Sequence, residues 1–175
     1  MNHLYRDIAP ITEAAWAEID SEAKRALKNF LAARRLVDFS GPHGWEAAAV
    51  TLGTVDPIDE SPADGVRAAK RLVQTYVELS APFTLARREL DAIDRGHKSP
   101  DLDAVVNAAR SVARAEDHSV FHGYGAGNIQ GIVEVSPHEP IEIHTDYGRY
   151  PTWTAMAVAC LRDAGVEGPY GIALG

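Results

Sequence analysis

The sequence predicts an α+β fold. Residues 12–35 and 100–122 carry apolar side chains at steps of three and four, the period of an amphipathic helix, while residues 73–85 alternate apolar and polar, the period of a half-buried strand. With 175 residues and 46% apolar content, the chain can bury a real core as one globular domain carrying an arm.

Residues 1–11 read as that arm, with Leu4, Tyr5 and Ile8 as anchors and Pro10 blocking an early helix. The first helix then aligns Trp16, Ile19, Ala23, Leu27, Phe30 and Leu31 in one stripe and leaves Glu18, Lys24, Arg25, Lys28 and Asn29 to water. Thr12 is placed to cap it, and Asp20 stands four residues before Lys24, the favourable order for a helical ion pair. Beyond Arg35, Leu36 to Phe39 reads as a short strand, and Ser40-Gly41-Pro42-His43-Gly44 excludes helix. A rod of about 35 Å must lie against a surface, either of its own chain or of another subunit.

From Trp45 an alanine-rich stretch leads through Leu52 to Ile58, and a turn-rich acidic segment at 59–65 precedes the alternating run Val73, Val77, Leu79, Ala81, Phe83, Leu85. Pro82 lacks a ladder donor, which places this strand at an edge or a bulge. The two pieces make a long hairpin with a loose tip. Two-stranded hairpins are marginal alone, so this one either folds back on its own helix or rests on a neighbour.

Arg87 to Arg95 reads as a short helix with Leu90 and Ile93 inward and Gly96 as its C-cap. Ser99-Pro100-Asp101 starts the second long helix, with Ser99 as cap and Asp101 facing the positive dipole end. Its apolar face holds Leu102, Val105, Val106, Ala109, Val112, Ala113 and Val120, and Glu116 on that face calls for an arginine partner. A glycine-dense turn at 123–132 follows, then short strands at 132–135 and 141–143 and a helix at 152–164. That last helix turns Trp153, Met156, Cys160 and Leu161 inward and closes at Gly165. A strand-like 170–174 ends the chain, which reads as lacking a C-terminal portion.

The net charge of −8, without a basic stripe, argues against nucleic acid as a primary partner. A single cysteine, Cys160, rules out an internal disulfide framework and fits a reducing cytoplasm, and no apolar run approaches the ~18 residues of a membrane span. The glycine-rich loop follows a helix, whereas a dinucleotide fingerprint follows a strand, so it reads as a turn. His118 and His122 share a helix face without the glutamate of the zinc-protease motif, and His138, His144 and Asp146 read as solvated; no metal site is nominated. No Gly-x-Ser-x-Gly elbow is present and no catalytic triad can be named. Arg34 and Asp38 either pair with each other or read the charge of a peptide bound beside Leu27, Phe30 and Leu31.

Five blocks, LYRDIAPITEAAWAEID, AARRLVDFSGPHGWE, APFTLARRELDAIDRG, ARAEDHSVFHGYGAGNIQGI and AGVEGPYGIALG, stand in the order and spacing of the encapsulin shell proteins. The chain resembles that family over nearly its whole length, least at 133–160. The resemblance implies the tailed-phage major capsid protein fold. An N-terminal arm and interior-facing helix would span 1–40, the start of a peripheral domain 41–52, an extended loop 53–82, the peripheral domain with its spine helix 83–132, and a C-terminally short axial domain 133–175. It also implies a homo-oligomeric, icosahedral nanocompartment in the cytoplasm. Such a shell encloses cargo such as a dye-decolourising peroxidase or a ferritin-like protein, hence roles in oxidative stress and iron storage. The family's cargo carries a C-terminal targeting peptide, and the matching groove positions are Leu27, Phe30, Leu31, Arg34 and Asp38. Some encapsulins stack a flavin on a tryptophan; the matching position holds Arg88, so no cofactor is expected. The competing reading is a small enzyme, either a hydrolase or a metal or flavin protein.

Overall fold

The computed structural model describes residues 5–173. In chain order it comprises α1 (Glu13–Phe30), the strands β1 (Ala49–Ile58) and β2 (Ala68–Thr75), α2 (Arg87–Asp94), α3 (Asp103–His122), α4 (Ile132–Val135) and α5 (Tyr150–Asp163). Helix and sheet are mixed, as the α+β reading expects.

The core lies where α1 and α3 pack on each other. Ala15, Ala26, Ala109 and Ala113 are buried along these helices, small side chains that let two backbones approach. Ile19, Leu102 and Val105 form the apolar centre, with Trp16, Ala23, Leu85 and Leu90 against it. Thr12 caps α1 as expected, accepting from the Ala15 amide at 3.2 Å.

The arm is held differently from the expectation. Tyr5 and Ile8 are exposed, and Leu4 lies outside the described residues. The anchor is Arg6, which donates to both Asp20 oxygens at 2.8 Å and lies 4.6 Å over the Trp16 ring. Asp20 therefore has Arg6 as its hydrogen-bonded partner, and Lys24 contributes only at longer range.

α1 stops at Phe30 instead of running to Arg35, a 3-10 turn occupies Ala33–Arg35, and residues 36–39, expected as a strand, are irregular. Asp117 of α3 causes the break. Its carboxylate accepts the Ala32 amide at 3.0 Å and the Ala33 amide at 2.9 Å, which caps a new turn at Ala33–Arg35. At the start of α3, Asp101 does what Ser99 was expected to do: its Oδ1 accepts the Asp103 amide at 3.2 Å. α2 forms as read, with Leu90 and Ile93 half-buried and Gly96 at φ 85°.

The hairpin exists, but its second strand is Ala68–Thr75, and residues 76–86 are irregular rather than the strand read at 73–85. Opposite Leu72, β1 carries three residues between Thr51 and Val55, a bulge centred on Gly53 at φ 74°. β1 is exposed along its whole length, and Val50, Leu52, Val55, Ile58, Leu72 and Val73 all face solvent. Its base is tied by Gln74, whose Nε2 donates to the Gly127 carbonyl at 3.0 Å.

The strands read at 132–135 and 141–143 are respectively the short helix α4 and irregular chain. A Cβ on Gly131 would meet backbone atoms of Phe121, His122 and Gly123 within 2.6 Å, so the chain doubles back tightly here and α4 folds against the end of α3. Glu134 closes that turn by accepting the Gly131 amide at 3.1 Å. On α5, Trp153 is buried, but Met156 and Cys160, expected inward, are exposed. Residues 170–173 are irregular, and Leu174 lies outside the described residues.

The chain exposes 14059 Å². A compact monomer of its 18.9 kDa mass would expose about 8,300 Å². Much apolar surface is thus left open, in the hairpin above all.

Candidate peptide-binding groove

The elbow where α1 gives way to the Ala33–Arg35 turn is fixed by two neighbouring acids on α3. Asp117 holds the backbone from below, and Glu116 accepts a two-pronged bond from the Arg34 guanidinium, with Nη2 to Oε2 at 2.8 Å. Arg34 also lies 4.5 Å over the Phe39 ring. The Glu116 hydrogen bond stabilises the Arg34 cation further, against a smaller desolvation effect. The expectation that Glu116 takes an arginine is met, and Arg34 pairs with it in place of Asp38.

Two troughs flank this elbow. One, of about 540 Å³, is lined by Phe30 and Ala32 from the α1 end, Asp117, His118, Phe121 and His122 from α3, Val133 from α4, and Ala173. The other, of about 370 Å³, runs from Asn29 to Ala32 and past Arg35 and Leu36 to Ile172 and Ala173. Phe30 lies between them, and the Arg110 guanidinium sits 4.6 Å over its ring.

The five residues expected here are separated by the fold. Phe30 is half-buried and central. Leu31 lines a trough but is only 9% exposed, so most of it belongs to the core. Leu27 is half-buried on α1 and lines neither trough. Arg34 is engaged by Glu116, and Asp38 is exposed in the loop beyond. The α3 and α4 wall, with His118, Phe121, His122 and Val133, was missed as a lining. The legible hint was that the two histidines stand one turn apart at the end of the same helix.

A larger cleft of about 610 Å³ lies at the opposite end of α1, between the arm and Trp16, where Arg6 already neutralises Asp20. The His118 and His122 rings lie 5.1 Å apart, and no cluster of three potential metal ligands occurs among the described residues. Ser40 Oγ lies 3.0 Å from His43 Nε2, a hydroxyl–imidazole contact in an exposed loop, with no carboxylate on His43 among the described residues. No helix among the described residues is long and apolar enough to cross a membrane.

A family model described as encapsulating protein for peroxidase matches residues 1–175. The chain belongs to the encapsulin shell proteins. It is 49% identical to the type 1 encapsulin shell protein of Rhodospirillum rubrum, covering 100% of this chain and 64% of the relative. It is 44% identical to that of Mycobacterium tuberculosis (99% and 65%) and 41% identical to that of Brevibacterium linens (99% and 65%). It spans just under two thirds of the length of these encapsulins. A diheme-cytochrome-encapsulin shell fusion protein of Kuenenia stuttgartiensis is 25% identical over 93% of the chain. These relatives are named for a structural role, that of a shell.

Proposed function

We propose that this chain is a shell subunit of the capsid type: many copies close into a cytoplasmic container, and the groove at the α1 elbow holds a targeting peptide of the cargo. The observation that carries the reading is the unpartnered surface. The 14059 Å² exposed is about 5,700 Å² more than a compact monomer of this mass would show, and the hairpin contributes apolar side chains to it. An interface of standard size takes about 800 Å² per partner, so the excess is several times what one such contact covers. The fold domains then follow the capsid pattern: the hairpin is the extended loop, α3 the spine of the peripheral domain, and the residues after 132 belong to the axial domain. The family description makes a peroxidase the first cargo to test; a ferritin-like protein is the second.

Native mass measurement on the purified protein tests assembly: a discrete megadalton species supports the shell, and a stable monomer removes it. Capture is tested by co-expression with a peptide-tagged fluorescent cargo. Val133→Asp is the variant of choice, because Val133 is 59% exposed on the trough wall, where a carboxylate stays in contact with water. The expected outcome is intact particles with strongly reduced cargo; unchanged loading removes the groove assignment.

A further inference from the structure

Resting on the groove as the peptide site, we propose that Arg110 receives a carboxylate of the bound peptide. The expectation from the sequence gave charge recognition to Arg34 and Asp38, but Arg34 is committed to Glu116 and Asp38 is an exposed acid, which cannot receive a carboxylate. Arg110 is not committed. Its guanidinium lies 4.6 Å over Phe30, the side chain shared by both troughs, and its Nε is buried with no acceptor among the described residues. Every other described arginine that forms no ion pair is exposed, whereas Arg110 is half-buried.

A guanidinium presents donors in a planar fork that matches a carboxylate, and a half-desolvated donor with no acceptor gains more from an anion than a solvated one does. Of the acids on its own helix, Glu116 is engaged by Arg34 and Asp117 by the Ala32 and Ala33 amides, while Asp103 is exposed at the start of α3, seven residues away. Charge complementarity therefore selects one occupant, an apolar peptide that packs on Phe30 and carries one negative group. Phe30 supplies the apolar contact, and Arg110, stacked on it, supplies the charge.

The test uses three fluorescein-labelled ten-residue probes of leucine, glycine and serine. The first carries one aspartate and an amidated terminus, the second asparagine and an amidated terminus, and the third asparagine and a free terminal carboxylate. Fluorescence anisotropy on the wild-type chain is expected to rank the second probe about tenfold weaker than the first or the third, which also identifies the source of the carboxylate. Arg110→Gln is expected to erase that difference by weakening the first and third probes about tenfold more than the second, and Arg110→Lys to restore part of it, since lysine keeps the charge but loses the fork. Equal weakening of all three probes by Arg110→Gln, or no change in any, overturns the proposal and leaves the groove standing. Failure of the wild-type chain to bind any probe overturns both. Thermal melts of both variants accompany the assay, and only the neutral probe's affinity distinguishes lost recognition from a disturbed Phe30.

Discussion

Arg6, Asp20 and Leu31 show how one side chain decides what its neighbours can do. The Arg6 hydrogen bonds hold the Asp20 carboxyl below its ordinary value of 3.8, against a smaller desolvation effect, with the charges of Arg6 and Lys24 adding to the lowering. A carboxylate with a depressed folded pKa contributes stability above its unfolded pKa, and that contribution disappears as pH falls through the folded value. Melting temperature measured from about pH 6 down to about pH 2 should therefore fall less steeply for Arg6→Gln than for the wild type. Parallel acid limbs would mean that the arm is not docked through this pair. Leu31 is a different case. At 9% exposure it is a core residue, so Leu31→Ala should lower stability by about 2–4 kcal/mol in chemical denaturation, whether or not a peptide is present. A near-zero change would return Leu31 from the packed stripe, where the helical pattern had put it, to the groove surface that the family resemblance implied. That pattern was sound for the helix and blind to its end, because the amides that Asp117 captures are 84 and 85 residues away in sequence.

At the level of elements, local rules succeeded where the signal was local. Thr12 caps α1, Gly96 ends α2, and the faces of α1 and α3 are buried as their periodicity requires. They failed where the deciding partner was distant or missing. Residues 76–86 alternate like a strand yet find no ladder, and Ile132, Val133 and Val135, β-branched and apolar, sit in a helix where Gly131 folds against the end of α3. Met156 and Cys160 carry a helical period, but among the described residues α5 buries only Trp153 and leaves both exposed. The hairpin is the extreme case, a two-stranded ladder with exposed faces. Hydrogen exchange should find β1 and β2 amides far less protected than those of α1 and α3 in a dissociated subunit, and comparably protected in an assembled particle. Full protection in a dissociated subunit would show the hairpin to be self-sufficient.

Across the whole molecule, surface is the quantity that sequence patterning could not supply. Alternation identifies which residues want burial, but it does not say whether the covering surface belongs to the same chain. The structure leaves Leu52, Val55, Leu72 and Val73 on the hairpin between 37% and 58% exposed, a cost that a lone soluble domain would be expected to remove. In a shell the same side chains are interface. Replacing Leu52, Val55 and Leu72 together by serine or threonine separates the two cases, because the three side chains are exposed and lie outside the α1–α3 core cluster, and threonine keeps the strand propensity. If neighbours cover the hairpin, the variant should keep the far-ultraviolet circular dichroism and melting temperature of a dissociated wild-type subunit while native mass measurement finds little or no particle. Were the particle to persist at full yield, the hairpin would not be a principal contact, and the roughly 5,700 Å² of excess surface would have to be covered elsewhere, with the open face of α4 and α5 the next region to vary.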